Sequence, residues 1–212
     1  MNKKTTIYLV RHGQTEWNIE HRFQGHQDSP LTELGVQQAM WLGESLHNED
    51  IDVIYSSSSN RAVKTAELIN GSRTLPINKK DELKEINLGI WEGQLQDVAK
   101  EQYSQEYHAF WNDPERFQLE GAETFFDVSK RAITLLNQIV RENEGKAILI
   151  VSHTVVVKLI MAHFENRLMK DVWNPPFIHP ACLCKIEIDN DEPTILLHGD
   201  ITHYKQDIGV KW

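Results

Sequence analysis

The feature that most limits the possible folds of this chain is the unbroken apolar run at residues 147–151 (AILIV), which ends at Ser152 and His153. A strand with one solvated face alternates apolar and polar residues, whereas a strand that is covered on both faces can be apolar throughout. Such strands are typical of parallel sheets. The helix predicted after His153 also begins with apolar residues, as expected of an element packed deep beside that strand.

The rest of the pattern alternates short strands with helices. Further strands are predicted at residues 5–10 and 53–56, and helices at about 31–46, from about 60, and at about 123–143. Two later runs, at 182–188 and 194–198, alternate enough to be edge strands. This alternation indicates an α/β fold around a mainly parallel sheet. No repeat or linker-like stretch divides the chain, so residues 1–212 are predicted to form a single domain.

One segment, at about residues 94–122, departs from this alternation because it combines aromatic side chains with mixed charges. We interpret it as a helical insertion that caps the sheet, and hence as a candidate lid. Its aromatic side chains could serve the core, substrate recognition or both.

Composition excludes several classes of partner. The 22 Lys and Arg residues against 31 Asp and Glu residues give a formal net charge of −9, which argues against nucleic acid or an anionic membrane as the main partner. Cys182 and Cys184 are poorly spaced to bridge each other, so a reducing compartment is expected. Neither a signal peptide nor a bilayer-spanning stretch is recognised, and a cytoplasmic location is expected.

Chemically active side chains follow the predicted strands. His12 and His153 each stand just beyond a strand end, and the carboxyl ends of parallel strands share one edge of the sheet. Arg11, Arg61 and Glu85 are predicted to meet them in one cleft. Guanidinium groups suit phosphate oxygens, and a neutral histidine nitrogen is a nucleophile toward phosphorus. The set therefore indicates phosphate chemistry.

Residues 9–18 (LVRHGQTEWN) resemble the signature of the histidine phosphatase superfamily, in its phosphoglycerate mutase-like branch. Four further blocks follow in the order found in that family, at 24–35, 56–66, 83–93 and 151–153. The joint match extends over about residues 7–165 and is far more specific than an isolated Arg-His-Gly. The pattern is closest to that of the broad-specificity phosphatases.

The resemblance implies a three-layer α/β/α sandwich and a role for each matching residue. His12 is expected to be the nucleophile that forms a phosphohistidine. Arg11, Arg61 and His153 are expected to hold the phosphoryl oxygens and stabilise the transferred charge. Glu85 is expected to protonate the leaving oxygen and then activate water.

The resemblance also implies a substrate pocket lined by Asn18, Gln24, Gly25 and Thr154. Thr154 departs from the family pattern, since glycine or asparagine is common at this position. No metal ion and no cofactor is expected, because cationic side chains take the place of a metal. The expected partner is a small phosphorylated metabolite, with no nucleic acid and no membrane, and the oligomeric state is not predicted.

Hydrolysis is favoured over mutase activity. A mutase needs extra cations over a second phosphate, yet residues 94–122 contain only Lys100 and Arg116 against six acidic residues. Gln24 also stands where the cofactor-dependent mutases tend to have Thr or Ser. We therefore predict a metal-independent phosphatase that acts on small phosphomonoesters.

Three alternatives remain. The first is a phosphoglycerate mutase. The second is a phosphatase dedicated to phosphoserine or ribazole phosphate, although Asn87 and Leu88 lack the extra histidine typical of the phosphoserine type. The least favoured is a non-catalytic phosphate-binding regulator, because binding alone needs neither a nucleophile nor an acid.

Overall fold

A six-stranded sheet runs through the centre of the protein. The structure, a computed structural model, describes residues 4–206. The strands are β1 (Thr5–Arg11), β2 (Val53–Ser57), β3 (Ile77–Lys80), β4 (Ala147–Ser152), β5 (Leu183–Asp189) and β6 (Glu192–Asp200). Their order across the sheet is β3-β2-β4-β1-β5-β6, with β1 to β4 parallel and β5 and β6 antiparallel to their neighbours.

Helices cover both faces of this sheet. They are α1 (Glu16–Ile19), α2 (Glu33–Ser45), α3 (Asn60–Asn70), α4 (Gln96–Gln102), α5 (Ser104–Asn112), α6 (Phe125–Glu142) and α7 (Thr154–Glu165). Tyr8 and Val10 of β1 pack with α2 and α3, whereas Ile7 and Leu9 pack with α6 and α7. Successive side chains of a strand point to opposite faces, so the sheet is the middle of three layers. The predicted α/β/α sandwich is confirmed.

The apolar run identified in the sequence is the central strand β4, which pairs with β2 on one side and β1 on the other. Its residues 148–151 are fully buried. Because both faces of β4 are covered by helices, its sequence has no polar face.

One prediction about the strands was wrong, and one strand was missed. The run at 182–188 was predicted to be an edge strand, but β5 lies between β1 and β6 and only β6 is at that edge. Cys184 and Ile186 of β5 are buried, and an alternating sequence does not distinguish an inner antiparallel strand from an edge. The opposite edge is β3, which was not predicted because the sequence INKK is mostly polar.

The insertion at 94–122 is helical, as predicted, since it contains α4 and α5. Phe110 and Phe117 are buried, and both rings pack near Trp91 and Phe125, with centroids 5.1–6.0 Å apart. These aromatic side chains therefore extend the core beneath α6. The role of the insertion as a lid stays a prediction.

Between residues 4 and 206, no helix is both long enough and apolar enough to cross a membrane.

Candidate active site

His12 and His153 lie side by side at the carboxyl edge of the sheet. They directly follow the adjacent parallel strands β1 and β4, and the backbone N–H of His12 donates to the carbonyl of Ser152 (2.9 Å). Their ring centroids are 5.1 Å apart, and both side chains are buried. The parallel pairing of β1 and β4 thus brings these two histidines together, as predicted.

The orientation of the His12 ring leaves one nitrogen available. Nδ1 lies 2.7 Å from the carbonyl oxygen of Gly13, and because a carbonyl only accepts, Nδ1 is the donor. In the neutral ring, Nε2 then carries the lone pair. Burial lowers the pKa of His12 well below its ordinary value, and the charges of Arg61 and Arg11 lower it further. The site therefore favours a neutral, oriented imidazole.

The loop that carries His12 packs tightly against the start of α2. The N–H of Gly13 donates to the hydroxyl of Thr65 (3.0 Å), which ties the loop to α3. A Cβ atom at position 13 would lie 2.4 Å from the carbonyl oxygen of Gly35. Only glycine allows this approach, which explains the glycine after His12 in steric terms.

Arg61 lies in the first turn of α3, and its buried guanidinium is held by the loop at residues 24–28. It donates to the Asp28 carboxylate (2.9 Å) and to the carbonyls of Gln27 (2.7 Å) and Gly25 (2.8 Å). These three acceptors fix the plane of the guanidinium. Its Nε is buried and has no hydrogen-bond partner among residues 4–206.

Arg11, the last residue of β1, is held in a similar way. One terminal nitrogen donates to the carbonyl of Ile178 (2.8 Å) in the segment before β5. Its Nε is likewise buried and unpaired within the described part of the chain. Each arginine thus keeps at least one N–H donor that an anionic ligand could satisfy.

Glu85 is tied to the start of α7. Its carboxylate accepts the backbone N–H groups of Ile86 (2.9 Å) and Val155 (3.2 Å). Burial raises the pKa of Glu85, and this outweighs the opposing effect of those hydrogen bonds and of Arg61 and Arg11. A carboxyl group of this kind holds its proton to higher pH than an exposed glutamate does.

The four residues predicted to line the substrate pocket flank this centre. Asn18 accepts the N–H of Thr15 (3.0 Å) and so caps α1, and the Gln24 amide donates to the Thr15 hydroxyl (2.9 Å). Gly25 has a positive φ of 54°, and Thr154 begins α7. Asn18 and Gln24 therefore stabilise their own loop, and contact of any of the four with substrate stays a prediction.

Within residues 4–206, no group of three or more His, Cys, Asp or Glu side chains is arranged to hold a metal ion. Metal independence stays a prediction.

Comparison with known proteins agrees with this geometry. The sequence profile of the histidine phosphatase superfamily (branch 1) matches residues 7–201. The chain belongs to this superfamily.

Two curated relatives and one solved structure illustrate the range of the superfamily around this chain. Phosphoserine phosphatase 1 of Hydrogenobacter thermophilus is 34% identical over 152 residues, which cover 72% of each chain. Probable phosphoglycerate mutase GpmB of Salmonella choleraesuis is 33% identical over 156 residues, 74% of this chain and 73% of that protein. The structure of Bacillus stearothermophilus YhfR is 41% identical with a TM-score of 0.92, covering 94% of this chain and 98% of that one. These similarities support a phosphatase or a phosphoryl-transfer enzyme.

Sequence reasoning missed three side chains that support the histidine phosphatase site. The first is Arg131 of α6, which donates to the carbonyls of Glu82 (2.7 Å), Lys84 (2.8 Å) and Glu85 (3.0 Å). It also pairs with the carboxylate of Glu123 (2.7 Å). Arg131 thereby fastens the loop that carries Glu85 to the long helix, and no sequence motif marks it.

The second is Glu92, which lies in the block 91–93 that resembles the family but had no role assigned. Its carboxylate accepts the N–H groups of His26 (2.7 Å), Gln27 (3.1 Å) and Leu88 (3.1 Å). It therefore joins the loop at 24–28 to the segment after Glu85. A Cβ atom at position 25 would lie 2.1 Å from its Oε1, so Gly25 makes room for this contact.

The third is Ser57, the last residue of β2. Its Oγ lies 2.8 Å from Nε2 of His153. It belongs to a run of four serines at 56–59, so the sequence does not indicate which hydroxyl faces the site.

Proposed function

We propose that this protein is a metal-independent phosphatase that hydrolyses small phosphomonoesters through a phosphohistidine on His12. One observation carries the proposal. His12 is oriented so that the lone pair of the neutral ring lies on Nε2, and the charges of Arg61 and Arg11 act both on it and on Glu85, a carboxyl group whose pKa is raised by burial. A site that only bound phosphate would need neither group.

In the first step, the Nε2 lone pair of His12 attacks phosphorus. The N–P bond forms as the bond between phosphorus and the alcohol oxygen breaks, and the Glu85 carboxyl group gives its proton to that oxygen. Arg11, Arg61 and His153 stabilise the negative charge on the phosphoryl oxygens. Their donors are held in place before substrate arrives, which is what makes such stabilisation effective.

In the second step, water attacks the phosphorus of the phosphohistidine. The Glu85 carboxylate takes a proton from that water, and the electron pair of the N–P bond returns to Nε2 of His12. Inorganic phosphate leaves, and both groups are back in their starting states.

Hydrolysis rather than transfer is supported by the charge of the insertion at 94–122. Arg116 has an 85% exposed side chain and lies 3.6 Å from the Asp113 carboxylate, and Lys100 is also exposed. The insertion therefore offers little free positive charge to hold the second phosphate of a bisphosphate.

A phosphoglycerate mutase is the second candidate, because a relative with that name is 33% identical. A phosphatase dedicated to phosphoserine is supported by the phosphoserine phosphatase that is 34% identical to this chain. A phosphatase dedicated to ribazole phosphate is a further alternative. We propose a small phosphorylated metabolite as partner, rather than nucleic acid or a membrane, because the formal net charge is −9. The free, buried cysteines at 182 and 184 suit a reducing cytoplasm.

The test is hydrolysis of p-nitrophenyl phosphate in the presence of EDTA. We expect turnover to persist with the chelator and to be lost in His12→Ala. Activity that disappears with EDTA and returns with a divalent cation would contradict the mechanism. Rapid interconversion of 3- and 2-phosphoglycerate that depends on 2,3-bisphosphoglycerate would establish the mutase instead. Catalytic efficiencies on phosphoserine, ribazole phosphate and sugar phosphates would then rank the substrates.

A further inference from the structure

The hydroxyl of Ser57 lies against one ring nitrogen of His153. Ser57 is fully buried at the end of β2, and its Oγ lies 2.8 Å from Nε2 of His153. The same oxygen accepts the backbone N–H of Ser59 (3.3 Å). The Ser57 hydroxyl therefore has one further acceptor position and a single proton to donate, and either could face Nε2 of His153.

The other nitrogen of the His153 ring has no hydrogen-bond partner in the described part of the chain. Nδ1 is buried and makes no hydrogen bond to any atom of residues 4–206. The ring itself stands next to His12, with the centroids 5.1 Å apart. A neutral imidazole carries one proton, so the position of that proton decides whether Nδ1 can donate to a ligand.

We propose that Ser57 is a positioning residue that donates to Nε2 of His153 and so holds this ring as the neutral Nδ1–H tautomer. The Nδ1–H group is then the donor that His153 offers to a phosphoryl oxygen beside His12. This inference rests on the proposed function only in taking the group bound beside His12 to be a phosphoryl group.

The opposite arrangement is less favourable. If Nε2–H donated to Ser57, the serine proton would have only the Ser59 hydroxyl, at 3.4 Å, to receive it. Nδ1 would then turn a lone pair toward anionic oxygens. Burial and the charges of Arg61 and Arg11 also lower the pKa of His153, so a ring protonated on both nitrogens does not resolve the conflict.

The direct test is ¹⁵N NMR of the His153 ring, recorded without ligand and with inorganic phosphate as the probe. The resonance is assigned by its loss in His153→Gln. We expect a protonated, pyrrole-type Nδ1 and an unprotonated, pyridine-type Nε2. In Ser57→Ala the ring should populate the Nε2–H tautomer, and Ser57→Thr, which keeps a hydroxyl, should restore the original pattern.

Ser56→Ala is the matched control. Ser56 is equally buried, but its hydroxyl donates to the carbonyl of Ser57 (2.9 Å). The Ser56→Ala variant should leave the His153 resonances and kcat/KM unchanged. For Ser57→Ala we expect kcat/KM for p-nitrophenyl phosphate to fall about 10- to 100-fold, less than when a transition-state donor is removed outright.

A wild-type ring with its proton on Nε2 would overturn the proposal, as would an unchanged tautomer in Ser57→Ala. If Ser57→Ala does not fold, the wild-type and Ser57→Thr spectra decide the question. Failure of the proposed function can be distinguished from failure of this inference. If the protein is not a phosphatase, no phosphomonoester is hydrolysed, but the NMR spectrum still shows which nitrogen of His153 carries the proton.

Discussion

At the scale of single residues, the proposed division of labour between His12 and Glu85 rests on what burial does to each charge. Burial lowers the pKa of His12 and raises the pKa of Glu85, so it favours the neutral histidine and the protonated carboxyl group. A nucleophile needs the first state and a general acid the second. The same physical effect would thus prepare the two groups for opposite tasks.

Glu85→Gln is expected to separate the acid role of this residue from a structural one. It should lower kcat/KM by about 10²- to 10⁴-fold on an alkyl phosphate such as phosphoserine, because the alkoxide leaves poorly without a proton. The loss on p-nitrophenyl phosphate should be much smaller, since p-nitrophenolate leaves unaided. The ratio kcat/KM reports on steps up to phosphoryl transfer, so slow hydrolysis of the phosphohistidine does not obscure the comparison. Glu82→Gln, an exposed neighbour, should leave both values unchanged, and equal losses in Glu85→Gln would refute the acid role.

The pH profile of kcat/KM is a further prediction. The active form has neutral His12 and protonated Glu85. Activity should therefore fall at low pH only below the ordinary histidine pKa of about 6.5, because the pKa of His12 is lowered. At high pH, activity should fall only above the ordinary pKa of a glutamate side chain, because the pKa of Glu85 is raised. Glu85→Gln should abolish the alkaline limb and keep the acidic one, and a profile unchanged by this substitution would contradict the assignment.

The residues that sequence reasoning could place are those beside the end of an element. His12 and His153 follow strands, and Arg61 begins a helix, so fold topology brings them together. Glu92 could not be assigned in this way, because its importance depends on contacts between segments far apart in the chain. Ser57 does end a strand, but only the packed structure shows that its hydroxyl is the one that reaches His153. One of four consecutive serines, or a glutamate beside a glycine, has no distinguishing pattern until the loops are packed.

At the scale of elements, the loop at 24–28 is the part of the site with the least secondary structure, and two charged side chains hold it. Arg61 donates to its carbonyl oxygens, and Glu92 accepts hydrogen bonds from its N–H groups. Because both side chains bind the same loop, a change at Glu92 is expected to alter how the guanidinium of Arg61 is held. This arrangement makes Glu92 important for a group that it does not touch.

Glu92→Gln is expected to loosen this loop. An amide offers one acceptor oxygen, and its NH₂ group faces N–H donors, so at least one charge-assisted hydrogen bond is lost, at a cost of about 1.5–3 kcal/mol in the free energy of unfolding. Because Arg61 is then less well held, the inhibition constant of inorganic phosphate should rise. Glu101→Gln on α4 removes the same charge from an exposed site and should change neither quantity. A purely structural role for Glu92 would lower the melting temperature and leave phosphate inhibition unaltered.

Strand prediction succeeded and failed for physical reasons. The continuous apolar sequence of β4 has one explanation, burial on both faces, and a strand covered on both faces was correctly predicted from it. The alternating sequence of β5 fits either an edge or an inner antiparallel position, and its partner β6 decides which. The polar strand β3 forms because it pairs in parallel with β2. This pairing depends on the tertiary structure, so the sequence of β3 alone does not indicate it.

At the scale of the whole molecule, a small cationic cleft lies in an acidic protein. The formal net charge is −9, whereas the site gathers two arginines and two neutral histidines. Long-range repulsion and short-range attraction therefore act on the same anionic substrate. They respond differently to salt, since exposed charges are screened more strongly than buried ones.

This difference gives a prediction about ionic strength. The screening length is about 30 Å at 0.01 M and about 10 Å at 0.1 M salt. Raising potassium chloride over this range should weaken repulsion by the acidic surface while leaving the buried contacts of Arg11 and Arg61 largely intact. We expect kcat/KM for 3-phosphoglycerate to rise a few-fold. Phosphocholine should respond less, because its trimethylammonium group offsets the charge of the phosphate. A parallel fall for both substrates would mean that the cleft governs substrate capture even at long range, and that the net charge of the surface has no part in it.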